Sequence, residues 1–445
     1  MEFNRPINKK ALLIKATSGT KDEIKQENNT VVFTFAKQPM CTRLFTRRLS
    51  SILLKNKDKD ITFDIGSFLD HYKVDCGYSL ATIILTKLQA FCGKLFSLKT
   101  KPIKNNINVI YDKKHKNTVF AGYTTSFGFN LARHYQSLPS NYLGINDFVN
   151  EIKKVLPATG NKNLKVKILT LSDIKKEKMG LIQAVNKGSD EPAAMIVLEY
   201  LNNPQSKDVL AYVGKGIMFD AGGYEIKPNR YMENMNQDMA GAAAVFGTMF
   251  ALASMKQKVN VVGLLPLAKN MISDRSMVVG DVYTSITGRT VEIVSPDSEG
   301  RLILADAIGY ANKHYKITKL FTIATLTGLS ELAFGDFATP YWSTKDTTAK
   351  AIEHAGQLSG DGLVSLRLYP EYTEEVNKSS NIADCANGCK ERKCSNGTAA
   401  AFLKEFCKCP DFTHFDIAGT HVYKNHTVNP LSFLLYLFAV NHFNK

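Results

Sequence analysis

Two short stretches of the chain concentrate the residue types that chemistry requires. The first runs Val213-Gly-Lys-Gly-Ile-Met-Phe-Asp-Ala-Gly-Gly-Tyr-Glu-Ile-Lys-Pro228. It carries Lys215 and Asp220 from the end of an apolar run into a glycine-rich loop, with Lys227 beyond it. Asp238 follows, just before a small-residue helical pattern at Ala240–Gly247. The second stretch, Ser295-Pro-Asp-Ser-Glu-Gly-Arg-Leu302, places Asp297, Glu299 and Arg301 after the apolar Val291–Val294. At this spacing of two, an extended segment projects all three to one face. The four carboxylates Asp220, Asp238, Asp297 and Glu299 would repel one another at converging strand ends unless cations neutralised them. Oxygen ligands without His or Cys suit Mn²⁺, Mg²⁺ or Zn²⁺. Two such ions about 3.5–4 Å apart can bind and activate one water. The same acids also read as turn formers and exposed surface charge, and spacing alone leaves both readings open.

Other catalytic patterns fail. The chain has no H-E-x-x-H, no G-x-S-x-G and no G-x-x-x-x-G-K-[ST]. Gly214-Lys215-Gly216 begins like a dinucleotide fingerprint, but Phe219 stands at the third glycine position. The nine histidines are scattered, with no short-spaced ligand pair at a strand end. A serine hydrolase, a P-loop enzyme and a metalloprotease with paired histidines all lose support.

The elements that would position these residues follow an α/β pattern. After residue 160, apolar runs at Val166–Leu171, Ala194–Leu198, Val209–Val213, Val259–Pro266 and Lys319–Ile323 read as strands. Helical patterns at Ala240–Met255 and Leu302–His314 alternate with them. This predicts a mixed, mostly parallel sheet flanked by helices, with the site beyond the carboxyl ends of its strands. Residues 30–120 form a smaller α/β pattern: runs at Thr30–Phe35, Ile61–Ile65 and Ile107–Tyr111, and helical spacing over 79–97. A helical pattern at Phe127–Tyr135 ends near Pro139. It sets an expected division into a basic N-terminal α/β domain (1–124) and a catalytic domain (125–445) with a connecting helix at 125–145.

Composition narrows the class. Over 445 residues, 44% are hydrophobic and 22% charged, as in a globular chain with a sizeable core. No uncharged apolar run approaches the roughly 18 residues of a membrane span. Leu431–Val440 has the length of a buried helix, and the N-terminus lacks the apolar stretch of a secretion signal. A cytoplasmic location with no membrane partner is expected. The net charge of +15 is uneven: residues 1–124 hold 22 Lys/Arg against 10 Asp/Glu, the remainder 34 against 31. That asymmetry reads as a polyanion footprint or as a solubilising surface. Five of the eight cysteines fall between Cys385 and Cys409, at spacings that match no standard zinc motif, and read as free thiols in a loop.

At these motifs the sequence resembles the leucyl aminopeptidase (cytosol aminopeptidase) family, including its bacterial peptidase B branch. The VGKG-x-x-FD-x-GG-x-x-IKP and D-x-EGRL stretches look like that family's two signatures. Agreement extends to Met235–Ala244, Ala324–Gly328 and Thr398–Phe406, and covers about residues 125–420. Residues 1–124 carry no motif that matches. The resemblance implies that Lys215, Asp220, Asp238 and Glu299 hold the tighter of two divalent metal ions. Asp220, Asp297 and Glu299 would hold the more exchangeable one. Mn²⁺ or Zn²⁺ would fill these sites, with Mg²⁺ or Co²⁺ as alternatives. Lys227 matches an electrophilic lysine at the scissile carbonyl. Arg301 matches the arginine that holds bicarbonate as general base. Met235, Thr325 and Ala418 match the first side-chain pocket, and Leu326 a backbone carbonyl that contacts the substrate amine. Ser295-Pro296, Met218 and Ala221 depart from the commoner residues of the family.

The implied activity is removal of N-terminal residues, preferably Leu or other apolar ones, from peptide substrates by a homohexamer. Two rivals remain beside it. One is a nucleic-acid-binding protein acting through residues 1–124, with or without catalysis. The other is a catalytically silent scaffold.

Overall fold

The computed structural model describes residues 1–72, 77–92, 96, 98–100, 105–389, 394–424, 426–428 and 431–444. The chain divides into two compact units, Met1–Asn130 with His354–Gly362, and Leu131–Glu353 with Leu363–Lys445. The division falls inside the helix Lys116–Gln136.

The first unit is built on a six-stranded sheet in the order Glu2–Phe3, Ile107–Ile110, Ile61–Asp64, Leu12–Ser18, Thr30–Phe35, Glu23–Glu27. All its pairings are parallel except the last. The Thr30–Phe35 strand shows why: Val31, Phe33 and Phe35 alternate into the core. There they meet Phe45, Phe68 and Tyr72, with the Phe33 and Phe68 rings 5.2 Å apart and edge-on. The helical spacing expected over 79–97 is realised as Gly77–Cys92. Residues 93–95 and 97 lie outside the described residues.

The second unit holds a nine-stranded sheet. Its order is Leu363–Leu366, Thr339–Ser343, Phe412–Asp416, Lys319–Ala324, Leu210–Gly214, Asn260–Asn270, Ala194–Leu201, Leu164–Leu169, with Gly216–Asp220 also paired to Asn260–Asn270. Five of the eight pairings among the described residues are parallel, so the sheet is mixed and mostly parallel, as expected. Both faces are covered. Ala211 and Val213 point into a core shared with the helices Gly300–His314 and Ser395–Glu405. Tyr212, between them, donates its hydroxyl to Leu435 O of the helix Ser432–Phe443, 2.9 Å away. A strand buried on both faces is uniformly apolar, which Leu210–Gly214 is.

Several expected boundaries move for local reasons. The strand expected at Val166–Leu171 is Leu164–Leu169. Thr170 instead caps the helix Leu171–Lys176, its hydroxyl accepting from Asp173 N. The strand expected at Val259–Pro266 continues to Asn270. The strand expected at Val291–Val294 is Thr290–Glu292, and it lies outside the main sheet, in a three-stranded one with Val282–Thr284 and Cys385–Ala386.

Candidate functional site

The parallel strands Leu210–Gly214, Lys319–Ala324 and Phe412–Asp416 end on one edge of the sheet, and Gly216–Asp220 runs with them. The loops after these ends carry most of the candidate residues. Lys215 is fixed first. Its N–H donates to Ile323 O (2.9 Å), and its carbonyl accepts from Ala242 N (2.8 Å). This packing needs Gly241, where a Cβ would fall 2.1 Å from Ile323 O. The Lys215 side chain is then buried, with Nζ 2.7 Å from Asp238 Oδ2, 2.8 Å from Glu299 Oε1 and 2.9 Å from Thr325 O.

Lys227 answers it from the other side. Its Nζ lies 2.9 Å from Asp220 Oδ2 and 2.5 Å from Asp297 Oδ1. Asp220 Oδ1 accepts from Gly222 N and from Asn270 Nδ2, both at 2.9 Å. Asn270 Nδ2 also reaches Pro296 O at 3.1 Å, tying the Asp220 loop to the Asp297 loop. Asp238 accepts from Thr325 Oγ1 at 2.7 Å.

Asp297, Glu299 and Arg301 do not share one extended face. Ser298 N closes a turn on Ser295 O (3.0 Å), Glu299 is already in helical conformation, and Arg301 lies in the first turn of the helix Gly300–His314. The three side chains come together through a tight turn into a helix. The D-x-E-G-R spacing serves that shape as well as a strand.

Ten of the eleven candidate residues line one cavity of about 890 Å³: Lys215, Asp220, Lys227, Met235, Asp238, Asp297, Arg301, Thr325, Leu326 and Ala418. Glu299 lies behind its wall, 1% exposed, with carboxylate oxygens of Asp220, Asp297 and Glu299 all within 4.8 Å of one another. Met235 begins a short 3-10 turn, Met235–Gln237. Leu326 and Ala418 are both held by Asp416, whose Oδ1 accepts from Leu326 N (3.0 Å) and Ala418 N (3.2 Å).

Electrostatics follow from this packing. Burial, then repulsion from Asp220 and Glu299, pushes the Asp297 carboxyl up to about 7, against the pull of Lys227. Burial likewise raises Asp238, opposed by Lys215. Burial alone would lower the two lysine ammonium groups, but the carboxylates around them outweigh it and raise both. Burial draws the Arg301 guanidinium below its ordinary value.

The donor set fits divalent cations. Two ammonium groups face four carboxylates, and Glu299 Oε2 is buried without a hydrogen-bond partner. Uncompensated buried negative charge of this kind is expensive unless a cation is coordinated. Oxygen donors at this spacing suit hard or borderline dications.

Residues not singled out from sequence also shape the site. Asn270, Asp416 and Asn387 hold its loops together, with Asn387 Oδ1 accepting from Val294 N (2.9 Å) and Ser295 N (3.2 Å). His421 lines the cavity near Ala418. Asp416 stood at a strand end, which was a usable signal; Asn270, Asn387 and His421 had none. The cysteine stretch is not simply a loop. Cys385 lies in a strand, Cys407 and Cys409 are buried, Cys394 is exposed and Cys389 lines the cavity. Residues 390–393 of that stretch lie outside the described residues. No cysteine joins a metal-binding cluster among the described residues.

Residues 130–432 match the catalytic domain of the cytosol aminopeptidase family. A probable cytosol aminopeptidase of Mycoplasma pneumoniae is 37% identical over 380 residues, 84% of each chain. One from Mycoplasma genitalium is 34% identical over 435 residues, 96% of each chain. One from Protochlamydia amoebophila is 43% identical over 260 residues, 58% of this chain and 51% of that relative.

Proposed function

The chain belongs to the cytosol aminopeptidase family, and from that premise we infer that its carboxylate cavity is a dinuclear-metal centre that removes N-terminal residues, Leu or other apolar ones preferred, from peptides. Aminopeptidase activity follows from membership. The finer reading is carried by one observation: Asp220, Asp297 and Glu299 gather within 4.8 Å, with Lys227 bridging two of them.

Lys215, Asp220, Asp238 and Glu299 would hold one ion and Asp220, Asp297 and Glu299 the other, as Mn²⁺ or Zn²⁺, with Mg²⁺ or Co²⁺ as alternatives. When bound, such ions supply Lewis acidity and lower the pKa of a water. Lys215 can join them only by giving up an Nζ proton, which nearby dications favour. Lys227 stays protonated between its carboxylates and donates to the scissile carbonyl oxygen as charge develops there. Arg301, matching the family's bicarbonate-binding arginine, would hold bicarbonate as general base. Met235, Thr325 and Ala418 would receive the first side chain, and the Leu326 carbonyl the substrate amine.

Assembly as a homohexamer and a cytoplasmic location belong to the same reading. No helix among the described residues is long and apolar enough to cross a membrane. The excess of basic residues in 1–124, 22 against 10, favours nucleic acid as a second ligand. A duplex-DNA shift that weakens with salt and vanishes without that charge would support it.

The primary test is hydrolysis of leucine p-nitroanilide by chelator-treated protein, with Mn²⁺, Zn²⁺, Co²⁺ or Mg²⁺ then added back. Activity should appear only with metal, and Lys227→Ala should reduce kcat by about 10²–10³-fold. Full activity without metal, or an unaffected Lys227→Ala variant, would defeat the reading.

A further inference from the structure

His421 lines the same cavity as Met235 and Ala418. The loop after the strand Phe412–Asp416 turns back on itself there. His421 N donates to Ile417 O at 3.0 Å, and the ring Nδ1 lies 3.3 Å from the same carbonyl. A carbonyl can only accept, so Nδ1 is the protonated nitrogen and Nε2 is left with its lone pair. The Ala418 backbone is the ring's other partner; no side chain among the described residues hydrogen-bonds the imidazole, which lines the cavity.

The position of the ring is determined by its backbone. Gln136 Nε2 donates to His421 O at 3.0 Å and reaches Gln237 Oε1 at 3.4 Å. Val428 N also donates to His421 O, at 3.1 Å. One glutamine thus ties the His421 loop to the turn Met235–Gln237. His421 and Met235 both line the cavity, and this link joins the backbone segments that carry them. Met235 and Ala418 are apolar, and the Thr325 hydroxyl beside them already donates to Asp238. His421 places one fixed acceptor in the cavity.

We propose that His421 is a specificity residue: its Nε2 accepts a hydrogen bond from the side chain of the substrate's N-terminal residue, so that the cavity takes residues bearing an amide or hydroxyl donor as well as aliphatic ones. The inference rests on the aminopeptidase reading of this cavity and adds a substrate class to it. An aliphatic side chain that covers Nε2 leaves an acceptor unpaired, whereas a donor of the same shape pairs it.

Isosteric substrates isolate the effect. Asn matches Leu in branching and Gln matches Met in length, so the kcat/KM ratios Asn/Leu and Gln/Met, measured on p-nitroanilides, report the polar contact with shape held constant. In His421→Met both ratios should fall by about tenfold, the size of one neutral hydrogen bond. In His421→Gln, whose Oε1 is again an acceptor, they should stay within about twofold of the unmodified protein. Ratios unchanged in His421→Met overturn the proposal. Should that variant fail to fold, ratios lost in His421→Gln overturn it instead. Failure of the unmodified, metal-loaded protein on leucine p-nitroanilide itself overturns the aminopeptidase reading and this inference with it. That result is recognisable before His421 is altered.

Discussion

Lys215 reaches its carboxylates only because residue 300 has no side chain. A Cβ at Gly300 would stand 2.4 Å from Lys215 Cε and 2.8 Å from Nζ. The glycine is needed for space alone, in the first turn of a helix where alanine would otherwise be preferred. Gly300→Ala should therefore displace the lysine from Asp238 and Glu299. A shift of this kind at a reacting centre lowers activity by about a hundredfold, while overpacking lowers stability by about 1–3 kcal/mol. Kinetics on leucine p-nitroanilide and a denaturant titration separate the two effects. An active Gly300→Ala variant would mean that the position of Lys215 is not needed. The motif letters of this region were legible in sequence, because Lys, Asp and Gly at fixed spacing are rare. The reason for Gly300 was not, because it depends on a side chain 85 positions away.

At the scale of elements, the helix Gly300–His314 positions the site through its starting point. Glu299 precedes it and Arg301 lies in its first turn, so any change in its axis moves both. Asp306, one and a half turns along, anchors it. Its carboxylate is fully buried and accepts from Leu181 N (2.8 Å), Ile182 N (2.9 Å) and Ile286 N (2.9 Å). Those donors come from the start of the helix Gly180–Asn186 and from the turn after Val282–Thr284. Asp306→Ala would orphan three N–H groups at once, two of them buried, and should cost about 2–4 kcal/mol, read as a lower denaturation midpoint. An unchanged midpoint would refute the anchoring role. The sequence showed this helix by its apolar periodicity and placed the residues before it near the site. It could not show that Asp297, Glu299 and Arg301 meet through a turn, because alternation over five residues suits a strand equally well. Nor could it assign Asp306, which looks like any solvent-facing acid in a helix until its three donors are located.

On the scale of the whole molecule, the inner strands of the sheet that brings four strand ends together are buried, and the polar residues within them make stability depend on pH. His414 is the clearest case. It sits on the interior strand Phe412–Asp416, fully buried, with Nδ1 2.8 Å from Thr322 Oγ1 and its ring stacked on Trp342, centroids 5.8 Å apart. Nε2 is buried with no partner. Burial holds the imidazole down at about 4, so the folded protein resists its protonation while the unfolded chain accepts a proton near 6.5. Between those values the unfolded state binds more protons, and stability is lost as pH falls from about 6.5 to about 4. The full contribution is about 3 kcal/mol. Asp306 works in the opposite sense. Burial pushes its carboxyl up to about 7, so it favours the folded state less as pH rises from about 4 to 7. A single stability–pH curve would mix the two. The difference between the unmodified protein and His414→Gln isolates the histidine, because Asp306 is common to both. The unmodified protein should lose stability relative to His414→Gln on going from pH 7 to pH 4, by up to about 3 kcal/mol, in urea unfolding at each pH. A difference that stays constant over that range would mean that His414 is protonated, or hydrated, within the fold.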